Sequence, residues 1–314
     1  MYHKTISMLL EFSVGNFKSI KEIATLSMHA SNLQPKYPHL EFNNVFQSDK
    51  DLKLLKSKAI YGANASGKSN IYKALESFKR IVRSSVGNES VLGNNISSFK
   101  LCDSYQNKPT FFQIQFLIEN VIYRYGFLAD TKKIHSEWLF KKVERETLLF
   151  TRDGDELNIN HSQFIEGEIL KEIFKKSNKD SSSYLILSFV SKVLNGEISS
   201  ILYDFIIEKI ILVSGLDSDL NKKFAENFIE NDQQKKILVN LVKAADMGID
   251  DIDYIVLNKN DDDKKLEGQK QDEEKLVYAV KKKFADDKES GVTFLGFDFE
   301  ESKGTQKMFE LAPY

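Results

Sequence analysis

"AIYGANASGKSNIYKAL", residues 59–75, is the stretch on which the reading of this chain turns. Gly62, Gly67, Lys68 and Ser69 occupy every fixed place of the pattern G-x-x-x-x-G-K-S. Glycines at those two places let the backbone curl, so that successive N–H groups point into one concavity that cradles phosphate oxygens. Lys68 reaches the β- and γ-phosphates as a point charge, and the Ser69 hydroxyl offers a ligand to Mg²⁺. The helix that follows turns its positive end toward the anion. The flanks agree with this reading. "SKAIY" before the loop is short and apolar and predicts a buried strand. After the loop, Ile71, Leu75, Phe78 and Val82 recur at helical spacing, with Ala74 and Ile81 widening the face. Contacts to ATP are therefore expected from Gly62, Ala63, Asn64, Ala65, Ser66, Gly67, Lys68, Ser69 and Asn70, with Ser69 as the Mg²⁺ ligand. Kinases, GTPases, helicases and transporter ATPases share such a loop, so it sets a ligand class and not an activity.

Composition narrows the setting. The 314 residues exceed what one small core needs. With 41% hydrophobic and 29% charged residues the chain reads as a soluble globular protein. A net charge of −2 gives no global attraction to nucleic acid or to an anionic membrane. Cys102 is the one cysteine, so no internal disulfide forms, and a buried, inert thiol is expected. The opening "MYHKTISMLLEFSV" has no apolar core and cleavage site of a secretory signal, and with the single cysteine a cytoplasmic location is expected. The greasiest stretch, "ISSILYDFIIEKIILVSGL", carries Asp204, Glu208 and Lys209, which predicts a buried helix or strand and no membrane span.

Along the chain, "LLEFSVGNFKSIKEIATLSM" predicts two short strands joined at "GNFKS", and "LQPKYPHLEFNN" a loop. "SSVGNESVLGNNISS" reads as a polar loop with nothing to pack. From Thr110 to Phe150, aromatic and β-branched residues with turns at "IEN" and "ADTKK" predict an antiparallel meander. Residues 161–250 read as mostly helical with a joint at "SNKDSSS", and "NKNDDDKKLEGQKQDEEK" as a solvated charged loop. "VTFLGFDFEESKGTQKMFEL" predicts a strand and then a helix start, at which Ser302 or Thr305 caps and Gly304 lets N–H groups approach an anion.

Three of these stretches carry a resemblance. "GANASGKSN", the early "NFKS" and "FDFEESKGTQKMFEL" are similar to the phosphate loop, first-strand turn and signature region of AAA-type, ABC-like ATPases of the SMC, RecF and OLD group. The resemblance implies an α/β P-loop ATPase head with an antiparallel β-lobe and an inserted helical lobe. The expected segments are an N-terminal ATPase subdomain (1–100), the β-lobe (101–155), the helical insertion (156–255), and return strands with the signature (256–314). It further implies a homodimer with ATP sandwiched between heads. There Ser302, Gly304 and Thr305 act in trans on the partner's γ-phosphate, and ATP gates an effector such as a nuclease, in DNA transactions or anti-phage defence.

The chain departs from that family in one respect. The Asp-Glu pair of Walker B, which should follow the signature helix, has no counterpart before "FELAPY", so the chain resembles the front part of a longer protein and its catalytic residues are unassigned. Asp217 follows a glycine turn, "YIVLNKNDDD" ends its apolar run on Asn258, and Asp298 and Glu300 alternate along the expected strand. The family's first strand would start at Met8, which makes that residue as good a translation start as Met1. His3, His29, His39, His135 and His161 stand singly, Trp138 reads as core, and Glu137 lies near the end of the β-lobe. Two other functions stay open: a nucleotide-holding scaffold without turnover, and a P-loop kinase for a small molecule.

Overall fold

The structure, a computed structural model, describes residues 7–31, 41–48, 52–64, 66–87, 90–170, 172–173, 181–213, 218–245, 248–257, 274–285 and 288–313. The chain divides into two compact units, Met1–Leu212 and Val213–Tyr314. The divide falls within the segment 156–255 that the sequence suggests as one helical insertion.

In the first unit, alternation builds strands where the sequence predicts them. β1 (Met8–Gly15) and β2 (Ala24–Ser27) form the expected pair around "GNFKS". The meander is β5 (Thr110–Ile118), β6 (Val121–Ala129), β7 (Ile134–Lys142) and β8 (Glu146–Asp153), closed by β9 (Glu156–Ile159). Glu119 and Asn120, both at positive φ, make the two-residue turn between β5 and β6, a geometry that matches strand twist. These strands form one antiparallel sheet in the order β2-β1-β5-β6-β7-β8-β9, so the N-terminal strands continue the meander. A small hairpin, β3 (Val45–Gln47) and β4 (Lys53–Leu55), follows a short helix α1 (Glu41–Asn44). "LEFNN" is thus not all loop; residues 33–40 lie outside the described ones.

Helix α2 (Lys68–Ser84) buries Ala74, Leu75, Phe78, Ile81 and Val82, the face read from the sequence. Phe78 stacks on Phe127 at 5.5 Å and meets Phe12 edge-on at 5.8 Å, which fixes the helix on the sheet. Burying such a side chain stabilises by about 1.5–3 kcal/mol. After it come α3 (Val91–Asn95) and α4 (Asp103–Gln106). The expected polar loop at 84–98 is corrected here: Val91, Leu92 and Ile96 are buried, because three apolar residues are enough to pack a single turn against the core. "SKAIY" is corrected as well. Residues 57–63 lie outside any helix or strand and are exposed, Tyr61 at 89%. A buried strand needs a neighbour on at least one edge, and no strand pairs with 57–61 among the described residues.

Helix α5 (Ile186–Leu194) and helix α6 (Glu197–Asp204), which runs into a π-helical turn Phe205–Lys209, bury Ile186, Leu187, Val190, Leu202 and Ile206. Of the greasy stretch, residues 198–209 are helical and bury Leu202, Phe205, Ile206 and Ile207, residues 210–213 lie outside any helix or strand, and 214–216 are outside the described residues. Among the described residues no helix is long and apolar enough to cross a membrane. Neither helix is capped by its own N-cap side chain; a glutamate from elsewhere does the work. Glu166 accepts from the N–H groups of Ile198 and Ser199 at the start of α6, both at 2.8 Å. Glu137, fully buried on β7, accepts from Ile186 N at 2.8 Å and Leu187 N at 3.1 Å at the start of α5. The same carboxylate takes the Tyr125 hydroxyl at 2.9 Å and Arg152 at 3.0 Å. Burial pushes the Glu137 carboxyl above its ordinary value, while Arg152 and the N–H and O–H donors pull the other way.

The second unit is a three-stranded antiparallel sheet of β10 (Asp251–Leu257), β11 (Glu274–Ala285) and β12 (Lys288–Gly296). With it go α7 (Ser218–Phe228), α8 (Asp232–Ala244) and α9 (Lys303–Leu311). Ile252, Val277 and Ala279 of the sheet pack with Ala225, Leu238, Val242 and Phe309 of the helices. The charged stretch 258–273, Asp217 and most of "SNKDSSS" lie outside the described residues.

The buried and exposed ion pairs of the first unit should differ sharply. Glu137→Ala takes the buried anion from beside Arg152 and the acceptor from two helix N–H groups, and is expected to cost about 3–5 kcal/mol. Glu146→Ala, at the exposed bidentate pair with Arg124, is expected to cost under about 1 kcal/mol. Urea titration followed by fluorescence of Trp138, the one tryptophan, checks both; equal losses would contradict the assignment.

Candidate phosphate-binding loop

Residues 62–70 turn directly into α2, and the two glycines are there for different reasons. Gly67 is the N-cap at φ +94°, a left-handed conformation that costs an L-residue about 1–2 kcal/mol. At Gly62 the angle is ordinary, but a Cβ would lie 2.8 Å from Ser66 Oγ. The loop is therefore curled as tightly as its glycines allow. Ser66 N donates to Ala63 O at 3.2 Å and Asn70 N to Gly67 O at 2.8 Å. Ala65 lies outside the described residues.

Lys68 folds back across this curl, donating from Nζ to Gly62 O at 2.8 Å and Ala63 O at 2.7 Å. No carboxylate pairs with it among the described residues. The start of α2 is equally bare of negative charge: it has no side-chain cap and no acidic residue in the first turn. A helix start leaves N–H groups without intrahelical acceptors, and here nothing of opposite sign offsets its positive end. Ser69 is exposed in the same turn. The arrangement is a concave, positively polarised corner with one lysine held by neutral carbonyls, which is chemistry for an anion.

The first-strand turn supplies a frame that sequence reasoning did not foresee. Asn16 is buried at φ +50°. Its Nδ2 donates to Lys108 O at 2.7 Å and Tyr105 O at 2.9 Å, and its Oδ1 accepts from Phe99 N at 2.9 Å. Thr110 Oγ1 donates to Asn16 O at 2.8 Å, and Lys18 N to Ser97 O at 2.7 Å. Phe17 is buried edge-on to Phe112 at 5.8 Å. Ser19, at the end of the turn, takes Asn70 Nδ2 at 2.6 Å. The partners of the Asn16 side chain and carbonyl lie 83 to 94 residues away in sequence and leave no local signal.

The second unit holds the other expected site residues. Ser302 is the N-cap of α9; its Oγ accepts from Thr305 N at 3.1 Å and lies 2.9 Å from Thr305 Oγ1. Ser302 and Gly304 are exposed, and a Cβ at Gly304 would meet only Ser302 Oγ, at 3.7 Å. The acids nearby are already engaged. Asp298 takes Lys222 at 2.6 Å, Glu300 accepts from Gly296 N at 2.6 Å, and Glu301 pairs with Lys281 at 2.7 Å. Residues 297–300 form a turn after β12, which corrects the expected alternation of Asp298 and Glu300 along a strand: Phe297 N still donates to Val277 O at 3.0 Å and its ring packs tilted against Phe309 at 4.7 Å, but Phe299 N and Glu300 N fold back to Gly296 O at 3.2 and 2.9 Å.

Other single residues take structural places. His135 pairs with Asp130 at 2.7 Å, His29 lies 4.0 Å from Glu11, and His161 lies 3.8 Å from Glu168; His3 and His39 are outside the described residues. Trp138 is half-buried and not core: its ring covers Gly126, where a Cβ would come within 2.6 Å, and Nε1 donates to Gln113 at 3.1 Å. Cys102 is likewise not buried, and its hydrogen bond with Ser104 lowers the thiol below its ordinary value.

A family model described as "AAA domain, putative AbiEii toxin, Type IV TA system" matches residues 59–313. The chain belongs to this AAA-domain family. It is a mixed α/β protein with a large antiparallel sheet, of the nucleotide-binding ATPase class that AAA domains make up. No curated protein shows a match. The span matched to the AAA family begins three residues before Gly62 and includes 302–305, whereas the Asn16–Ser19 turn lies outside it.

Asn16→Asp separates the role of the Asn16 side chain from its backbone angle, because aspartate tolerates positive φ equally. The change sets a carboxylate against two carbonyls. It is expected to cost about 2 kcal/mol or more in urea titration and to speed tryptic cleavage at Lys100. Unchanged stability would show that the bonds of Asn16 carry no weight.

Proposed function

We propose that this chain binds ATP with Mg²⁺ at the 62–70 loop. The observation that carries the reading is Lys68, a cation held only by carbonyls over a tight glycine curl, beside a helix start that no side chain caps. The triphosphate lies against the first N–H groups of α2, with Lys68 turning from Gly62 O and Ala63 O to phosphate oxygens. The exposed Ser69 hydroxyl suits a magnesium ion that otherwise keeps water and phosphate ligands, and among the described residues no cluster of three or more His, Cys, Asp or Glu competes for it. The ion neutralises phosphate charge when bound; the chain's part is to hold the phosphates in one orientation.

In this reading the 302–305 helix start serves a second molecule. Ser302 and Gly304 are exposed at an N-terminus whose cap is a hydroxyl and whose first turn carries no acidic residue. Two ATP-loaded copies associate head to head, each offering Ser302, Gly304 and Thr305 to the other's γ-phosphate. ATP thereby gates an effector, with DNA or anti-phage defence as the setting, in keeping with the toxin–antitoxin description of the family. Turnover by the chain alone is slow, because Asp298 and Glu300, its nearest candidates for an acidic pair, are already bonded.

Lys68→Ala is expected to remove most affinity for a non-hydrolysable ATP analogue in isothermal titration, since a charge-assisted phosphate contact contributes about 1.5–3 kcal/mol. Unchanged affinity would overturn the loop reading. Ser302→Arg should leave monomer affinity intact and abolish ATP-dependent dimerisation in analytical ultracentrifugation. Lost monomer affinity would mean that the residue acts in its own subunit. Phosphate release by the purified chain should fall well below about 1 s⁻¹, an ordinary enzymatic rate; turnover at that rate would show that an acid assigned here to structure is catalytic.

A further inference from the structure

The contact between Ser19 and the glycine loop has a geometry that packing alone does not require. Ser19 and Asn70 stand 51 residues apart, Ser19 is exposed, and yet Asn70 Nδ2 donates to its hydroxyl at 2.6 Å. The same oxygen lies 3.0 Å from where a Cβ on Gly67 would sit, so it touches the left-handed corner from which α2 starts. The two sides of this contact differ in rigidity. Ser19 sits on a turn closed by reciprocal Phe17–Ile20 backbone bonds of 2.8 Å, anchored by buried Phe17 and by the bonds of Asn16 and Lys18. On the loop side, residues 57–64 are exposed and belong to no sheet. Among the described residues, the Ser19 proton has no protein acceptor, so the hydroxyl is free to serve Asn70 as an acceptor only.

Resting on the reading of 62–70 as a phosphate site, we propose that Ser19 is a positioning residue for that site. Through Asn70 it pins the corner at Gly67, so that the first N–H groups of α2 and Lys68 hold the receiving shape before a phosphate arrives. A loop with no sheet behind it would otherwise be ordered at the expense of binding energy, and pre-organisation recovers that loss. This assigns a ligand-binding role to the first-strand turn, which lies outside the AAA-matched span.

The test is a titration of the full chain with a non-hydrolysable ATP analogue and Mg²⁺, using wild type, Ser19→Ala, Asn70→Ala, the double variant, Ser19→Thr and Lys68→Ala, each with its thermal midpoint. Each single change at 19 or 70 is expected to weaken binding roughly 3- to 10-fold, the span of one net hydrogen bond. The double variant should be no weaker than either single one, Ser19→Thr should restore affinity, and the midpoints should stay close to wild type because the contact is at the surface. Additive losses in the double variant, or unaltered affinity in Ser19→Ala while Lys68→Ala still loses binding, would overturn the role of Ser19 and leave the loop reading standing. Full affinity in Lys68→Ala would overturn both.

Discussion

Asn16 is the knot that ties the first unit to its candidate site. One amide side chain, held at a backbone angle that asparagine tolerates, closes the 99–110 segment onto the end of β1. β5 begins at Thr110, whose hydroxyl bonds Asn16 O, so the same residue sets the point from which the meander departs. Two residues on, Lys18 fixes the turn to Ser97, and the next residue reaches the glycine loop. Sheet, turn and loop are thereby one mechanical piece, although the loop itself borders no strand. The fully buried Glu137 plays the matching part on the far strands, where a single carboxylate gathers β6, β8 and the start of α5.

What the sequence made legible follows from how local each signal is. The apolar face of α2 was readable because Ile71 to Val82 recur at the helical period, and the meander because its strands alternate between clear turns. The loop residues were readable because their spacing is the chemistry. The bonds that Asn16, Glu137 and Ser19 make were not, although "NFKS" stood out as a stretch, since their partners lie tens of residues away and a polar residue in a strand or turn looks solvated until its partners are placed. "SKAIY" failed for the opposite reason: its composition suits a strand, but a strand exists only with a neighbour. Val91 and Leu92 were hidden by the polar residues around them, and Asp298 and Glu300 by a turn closed on Gly296 O.

The second unit keeps its own logic. Its helix α9 starts on a hydroxyl cap, and its acids are spent on Lys222, Lys281 and Gly296 N. That pattern favours an exposed, uncharged helix start and disfavours an acidic catalytic pair among Asp298, Glu300 and Glu301. The division of labour proposed for the chain, tight holding of nucleotide with little turnover, rests on this contrast between a loop stripped of acids and acids already committed.

Amide hydrogen exchange with and without Mg·ATP tests the central claim most directly, because it locates the nucleotide without altering a residue. The account predicts slowed exchange concentrated at residues 62–72, with a smaller effect at 16–20 through the Ser19–Asn70 bond. Protection confined to other segments, or none at saturating nucleotide, would contradict it.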